Sequence, residues 1–214
     1  MSSPDPPNVW KNIYDDVKIQ IPGVTDAVFK QMLYQVWGDF CDRTNIWIEE
    51  VPIPAMPNVV LYPFTLANKG MPNRLLLLYD PQTSPARHWV QGSVEMNRPG
   101  TIRIMYAPST AVTWMAVVAK TPHERTAEGY PDINPADEWI IEKYGDGMHY
   151  GVLGRLMEMP AKPYTNTKLG SMNWQYYVTE RGKARSDATK SNIYGGQRWM
   201  FPQSFAVGSR KGWT

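Results

Sequence analysis

The sequence predicts an α+β fold, in which a three-helix-bundle-like α region carries an inserted, mainly antiparallel β region and an extended C-terminal arm. Three observations support it: apolar residues at helical spacing near both ends, short proline-bounded apolar runs between them, and an irregular aromatic segment at the end. We treat residues 1–214 as a single domain, the length expected of one core. Its predicted parts are a helical region (23–49 plus 134–192), a β-rich insertion (50–122) and an arm (193–214).

The first helix is predicted over residues 25–44, with Thr25 or Asp26 as its N-terminal cap. Cys41, the single cysteine of the chain, lies on its apolar stripe. We therefore expect Cys41 to be a small buried hydrophobe and not a nucleophile. Apolar residues recur there at spacings of three and four, at Phe29, Met32, Leu33, Val36, Trp37, Phe40 and Cys41.

Short apolar runs separated by prolines follow, and we interpret them as strands. Proline cannot donate a hydrogen bond to a sheet ladder, so it marks turns and sheet edges. The last run is apolar on both faces, which predicts a central strand. The runs are 59–62, 74–79, 89–94, 101–106 and 111–119.

The next helix is predicted from Pro135 to Met159, with Asn134 as its N-cap and Pro160 beyond its end. Its apolar stripe consists of Ile141, Tyr144, Met148, Val152, Leu156 and Met159. Each glycine costs a helix up to about 1 kcal/mol relative to alanine. The helix nevertheless contains four, at Gly145, Gly147, Gly151 and Gly154. We expect them to allow another backbone to approach closely.

The third helix is predicted to begin near Thr165 or Asn166 with an apolar first half. Residues 180–190 offer almost nothing to bury, so we expect this part to project from the body, covered by solvent or another chain. The following segment is aromatic and interrupted by Pro202, which is unusual for a solvated terminus. We interpret it as a docking arm whose partner-binding residues are Arg198, Trp199, Met200, Phe201 and Phe205.

Charge is distributed unevenly along the chain. Residues 160–214 contain nine Lys/Arg and two Asp/Glu, whereas residues 1–159 contain 13 and 18. A basic end on an acidic body predicts contact with a negative partner, either nucleic acid or an acidic protein surface, although a solvated helix face gives the same pattern. The candidate residues for contacts with DNA, a channel or another subunit are Arg181, Lys183, Arg185 and Lys190.

Signs of catalysis are weak. The histidines at 88, 123 and 149 belong to none of the common hydrolase, zinc, P-loop or dinucleotide motifs. Glu138 and Glu142 are one helical turn apart, a spacing typical of an exposed helix face. We therefore predict no catalytic residue, no metal site and no cofactor. The longest uncharged apolar stretch, 111–119, is well short of the roughly 20 residues of a membrane span, so no membrane contact is expected.

Three stretches together resemble a family of tailed-bacteriophage proteins, the head-to-tail adaptors, also described as connectors or tubular tail protein A. The first is Phe40–Trp47, the second is Asp137–Tyr144 running on to Gly151–Pro163, and the last is Gly195–Pro202; the resemblance in order covers most of residues 23–205. Asp42 departs from it, because a basic residue is expected there. The strands between these stretches carry no motif of the family.

The resemblance implies a noncatalytic virion protein of the neck, assembled in the host cytoplasm. Such adaptors form a homo-oligomeric ring, commonly of twelve subunits, below the portal protein at one capsid vertex. The ring extends the channel for the packaged DNA and offers a platform to a tail nozzle or tail tube protein. By analogy, the arm at 193–214 would reach the portal, and the third helix would contact neighbours, the portal or the channel.

The sequence leaves two alternative functions open. A phage-associated, peptidoglycan-degrading hydrolase on the same scaffold would use carboxylates such as Glu138 or Glu142. A nonspecific nucleic-acid-binding module would use the basic residues of the third helix against phosphates, with a steep dependence on salt. No helix-turn-helix, zinc-finger or RNP motif supports sequence-specific binding.

Overall fold

The computed structural model describes residues 8–82, 87–88 and 93–191, and these form an α+β fold, which confirms the predicted class. In this part of the chain there are four α-helices and one short 3₁₀ turn. The turn, Pro135–Asp137, directly precedes the helix that begins at Trp139. The helices are α1 (Asn8–Gln20), α2 (Asp26–Thr44), α3 (Trp139–Met157) and α4 (Thr167–Ser191).

Seven strands form two antiparallel sheets within the described residues, one of four strands in the order β1-β7-β3-β4 and one of three in the order β2-β6-β5. Strand β7 lies between β1 and β3, so the central strand predicted near 111–119 is confirmed. The strands are β1 (Ile48–Ala55), β2 (Leu61–Pro63), β3 (Met71–Asp80), β4 (Arg87–His88), β5 (Val94–Arg98), β6 (Thr101–Ile104) and β7 (Val112–Thr121).

Helix α1 was not predicted, and the helical region therefore begins at Asn8, upstream of residue 23. Trp10, Ile13 and Val17 form its buried face at spacings of three and four. This stripe contains only three residues and follows a proline-rich segment, so its periodicity is weak in the sequence. Packing against α3 stabilises it, as tertiary contacts usually do for short helices.

Strand β1 was also not predicted, because Pro52 and Pro54 suggested a turn. Both prolines point to solvent, while Val51, before them, and Ile53, between them, are buried. The strand is at the edge of its sheet and pairs with β7 on one side. A sheet edge tolerates proline because the missing amide hydrogen has no ladder partner there.

Two cores hold the fold together. The helical core is formed by residues of all four helices and is rich in aromatic rings, among them Trp10, Trp37 and Trp47. The second core contains residues from both sheets, such as Ile53 of β1 and Ile102 of β6, so the two sheets pack against each other. The buried side chains of the described residues thus form two separate clusters, one among the helices and one between the sheets.

Three of the four glycines of α3 allow close packing, as expected, whereas a Cβ at Gly145 would be at an ordinary 3.9 Å from Ile13. A Cβ atom at Gly154 would lie 3.0 Å from the backbone nitrogen of Trp174 in α4. A Cβ at Gly147 would lie 2.8 Å from Cβ of Glu180, and one at Gly151 would meet Val36 at the same distance. Helix α3 can therefore approach α2 and α4 only because these positions lack side chains.

Replacing Gly151 with Ala should lower the free energy of unfolding by about 1–3 kcal/mol, the usual cost of overpacking a core. The new methyl would lie 2.8 Å from Val36 Cγ1 and 2.9 Å from Tyr177 Cδ2. Gly182→Ala in α4 is the matched control, since no described atom lies within 4 Å of its added Cβ. The control should gain up to about 1 kcal/mol in helix propensity. Urea denaturation measures the free energy of unfolding of both variants. Equal changes in the two would contradict this packing.

The second half of α4 does not project from the body, so that expectation was wrong. Ala184 and Ala188 are 0% and 5% exposed, and with Tyr177 and Arg181 they form one stripe along the helix. α4 packs on both α3 and α2. The buried positions of this half are alanines, whose small side chains suit a close helix contact but leave no stripe of large apolar residues in the sequence.

Candidate functional site

The five predicted partner-binding residues of the arm, Arg198 to Phe201 and Phe205, lie outside the described residues. Their role stays a prediction. The four basic residues predicted for DNA or subunit contacts all lie on α4, and the structure divides them into two pairs.

Arg181 and Lys183 are occupied within the chain. Arg181 forms an ion pair with Asp39 of α2, and the Tyr177 hydroxyl donates to the same carboxylate at 2.7 Å. Burial, reinforced by Asp39, raises the pKa of Tyr177, so its hydroxyl stays a donor. Lys183 pairs with Glu180 at 2.6 Å, one turn away. Arg181 therefore holds α4 against α2, and Lys183 forms an exposed pair within α4. Both are less free to bind phosphates than an unpaired basic residue.

Arg185 and Lys190 are exposed, and neither side chain makes a hydrogen bond or an ion pair with another described residue. Lys190 is close enough to Asp187 to help lower the pKa of that carboxyl, after the larger effects of Lys143 and Tyr144. With Lys168, which is also exposed and makes no ion pair with a described residue, these are three free cations on α4, a small electrostatic footprint compared with the roughly six to ten phosphate contacts of a salt-sensitive DNA binder. The nucleic-acid alternative gains no support from this arrangement.

An acidic groove, which we call the α1–α3 groove, runs between these two helices and has a volume of about 270 Å³. Asn12 and Gly145 lie in its wall, and Val9, Ile13 and Ile141 supply apolar surface. Among the described residues, no Lys or Arg lines it. Its charged or titratable side chains are Asp16, Glu138, Glu142, Asp146 and His149.

His149 does not offset the negative charge of the groove. Burial lowers its pKa below the usual value of about 6.5, against the opposite influence of Asp16 and Asp146. The imidazole is therefore neutral at pH 7, where Nε2 lies 3.3 Å from Nε2 of Gln20. Four carboxylates thus face one groove without a neutralising cation from the described residues.

Glu138 and Glu142, the carboxylates named for the hydrolase alternative, both line this groove. The sequence analysis missed Asp16, Asp146 and His149 as their companions. A weak signal was present in α3, where positions 138, 142, 146 and 149 recur at spacings of three and four. Nothing in the sequence indicated that α1 forms the other wall.

A second surface is an exposed apolar stripe on α4, which consists of Leu169, Met172 and Tyr176. Tyr176 is 54% exposed, and its ring contacts that of Tyr150 in α3 with centroids 5.4 Å apart. A shallow depression of about 220 Å³ beside the stripe is lined by Met172, Gln175, Tyr176 and Thr179. We call it the α4 stripe.

A third surface lies in the β-rich region and consists of exposed apolar residues on two adjacent segments. Backbone hydrogen bonds from Ile104 to Val60 (2.8 Å) and from Asn58 to Pro108 (3.4 Å) hold these segments side by side. The Tyr62 hydroxyl donates to the Val59 carbonyl at 2.6 Å. The surface, called the β-tip here, comprises Met56, Val59, Val60, Leu61, Met105 and Tyr106.

A buried ionic cluster joins the helical and β-rich regions. The Lys120 ammonium of β7 is 3.1 Å from a Glu49 oxygen and 3.5 Å from one of Asp137, and it lies 4.6 Å from the Trp47 ring centroid. Trp47 Nε1 donates to Asp137 at 2.7 Å, while the second Glu49 oxygen accepts from the Ala67 amide. Because Lys120 is 1% exposed, this cluster is structural and is not a surface for ligands.

The resemblance to the adaptors rests in part on two stretches that meet in this structure. Trp47 ends the first and bonds to Asp137, which begins the second. Phe40 of the first contacts Tyr144 of the second, with centroids 5.7 Å apart. Asp42, the departure from the family pattern, accepts a hydrogen bond from Asn73 at 2.9 Å.

No protein-family model and no curated protein matches this chain, so comparison with known proteins does not assign it to a family. In the part of the chain that the structure describes, no helix has the length and apolarity needed to cross a membrane. Among the same residues, no three His, Cys, Asp or Glu side chains are grouped closely enough to hold a metal ion.

Cys41 is fully buried, which confirms the expectation that it is a small core residue. Burial raises the pKa of its thiol well above the usual range, and Lys120 opposes this only in part. We therefore expect no reaction with Ellman's reagent at pH 8 until the protein unfolds, and full reaction in 6 M guanidinium. Since the nucleophile is the thiolate, rapid labelling of the native protein would contradict this burial.

Proposed function

We propose that this protein is a structural head-to-tail adaptor of a tailed-bacteriophage virion, which acts by binding and not by catalysis. The observation that carries the proposal is the presence of two separate exposed apolar surfaces, the α4 stripe and the β-tip, on one small chain. Exposed patches of this kind mark sites of protein–protein contact. A subunit placed between two different partners and its own neighbours needs several such surfaces.

The contact between the resembling stretches supports the same function. Phe40 contacts Tyr144 in the core, and Trp47 bonds to the half-buried Asp137, although the two stretches are far apart in the sequence. The resembling residues of the two stretches therefore interact with one another. An accidental similarity between separate segments would not be expected to produce such contacts. The contact supports the scaffold of an adaptor, whereas its partners follow from the family analogy.

In the proposed assembly, a homo-oligomeric ring, twelvefold by that analogy, sits in the virion neck and extends the DNA channel. The arm residues Arg198 to Phe201 and Phe205 bind the portal protein. The β-tip faces the tail nozzle or tail tube protein. Packaged DNA passes through the lumen without sequence-specific contacts, and assembly takes place in the host cytoplasm.

Analytical ultracentrifugation of the full chain, alone and with the portal protein encoded by the same genome, tests this proposal. We expect a multimer that co-sediments with the portal. A chain that stays monomeric in both conditions at 100 μM would contradict it. In the assembled particle, Met105→Glu on the β-tip should abolish binding of the tail protein, whereas Asn97→Glu, at an exposed polar position of β5, should not.

The hydrolase is the second candidate, because Glu138 and Glu142 share a groove. An adaptor should release no soluble fragments from purified peptidoglycan. Glu142→Gln and Glu138→Gln give the decisive comparison: activity in the native chain that both variants lose would establish the hydrolase and overturn the noncatalytic account.

A further inference from the structure

We propose that the α1–α3 groove of one copy receives the C-terminal half of α4, residues 180–191, from a second copy. Arg185 and Lys190 of the incoming helix then neutralise the groove carboxylates. This inference rests on the proposed ring and names the contact that builds it.

The groove lacks a counter-charge of its own. None of the carboxylates of Asp16, Glu138, Glu142 and Asp146 makes a hydrogen bond or an ion pair with another described residue, and His149 is neutral at pH 7. Like charges held in one groove repel each other, and this repulsion disfavours the isolated chain. A basic surface on another chain would supply the missing counter-charge.

The matching surface is present on α4 of the same chain. Arg185 and Lys190 are exposed and make no ion pair with the described residues, whereas Arg181 and Lys183 already have partners. The α4 stripe, with Met172 and Tyr176, lies on the preceding turns of the same helix, N-terminal to residues 180–191, and extends the contact surface there. The groove offers apolar surface in return, from Val9, Ile13 and Ile141. Charge and apolar surface are thus complementary on the two sides.

The geometry requires two copies for this contact. In one chain, α3 meets α1 through Gly145, whose added Cβ would lie 3.9 Å from Ile13. It meets α4 through Gly147 and Gly151 on a different face. Complementary surfaces on different faces of a chain produce a head-to-tail contact, and such contacts close into rings when the rotation permits.

Charge reversal tests the contact. The double variants Asp16→Lys/Glu142→Lys and Arg185→Glu/Lys190→Glu should each weaken self-association about tenfold or more. An equimolar mixture of the two should regain hetero-association, because each supplies the sign that the other lost. Glu128→Lys/Arg98→Glu, at exposed positions away from both surfaces, is the matched control and should assemble as the native chain does. Native-like assembly of both double variants would overturn the inference.

Cross-linking provides a direct readout. Chains with Asp16→Cys and chains with Arg185→Cys, mixed and oxidised, should form a disulfide-linked dimer that neither chain forms alone, since Cys41 is buried. Truncation after Ser191 should leave this cross-link intact. Its loss on truncation would overturn the inference by assigning the groove to residues 192–214. An assembled native chain without the cross-link would overturn the contact but not the ring, whereas a native chain that never assembles would remove both.

Discussion

Replacing Glu49 with Gln is expected to lower the free energy of unfolding by about 3–5 kcal/mol, measured by urea denaturation. The exchange keeps an oxygen that can accept from the Ala67 amide but removes the charge opposite Lys120. Lys120 is then a buried cation whose one remaining ion-pair partner among the described residues is Asp137, at 3.5 Å. An uncompensated buried charge is among the most costly changes in a protein interior.

The matched control is Glu95→Gln, which removes the same charge from the exposed pair of Glu95 and Arg103. Both of those side chains are more than half exposed, so its effect should be below about 1 kcal/mol. Adding Lys120→Met to Glu49→Gln should restore most of the lost stability, because the stranded cation is removed. If Glu49→Gln and Glu95→Gln cost the same, the buried cluster does not join the two regions as described.

Replacing Trp37 with Ala should cost about 3–5 kcal/mol, the range for removing a large aromatic side chain from a core. Trp37 is fully buried at the centre of an aromatic cluster. Its ring centroid is 5.8 Å from that of Trp10, 5.6 Å from Trp47 and 6.0 Å from Phe40. It therefore connects α1, α2 and the segment that leads into β1.

Trp37→Phe separates the volume of this ring from its polar group. Among the described residues, Trp37 Nε1 has no hydrogen-bond partner, and a buried unsatisfied donor costs about 1–3 kcal/mol. Phenylalanine removes that donor with a modest loss of volume, so the variant should lose less than about 1.5 kcal/mol. A loss as large as that of Trp37→Ala would show that Nε1 has a partner in solution.

Sequence periodicity predicted the long helices well because their apolar stripes repeat over several turns. The stripes of α2 and α3 contain Phe40, Tyr144 and their neighbours, and the structure buries them as expected. The same reasoning missed α1, whose stripe from Trp10 to Val17 is too short to be distinctive. It also misjudged β1, because Pro52 and Pro54 are tolerated at a sheet edge.

The surfaces were harder to predict because they depend on residues far apart in the chain. Asp16 and Glu142 share the α1–α3 groove although 126 residues separate them in number. The basic residues of the third predicted helix were identified from composition alone. Composition could not show that Arg181 pairs with Asp39 while Arg185 stays free, since that distinction depends on which side of α4 faces α2.

The assembly itself is tested most directly by electron microscopy of the full chain mixed with the portal protein encoded by the same genome. The adaptor account predicts end-on views with a closed ring of subunits around an open channel. It also predicts side views in which this ring stacks coaxially on the portal. Portal particles that carry no additional ring, in the presence of an excess of the chain, would contradict the account.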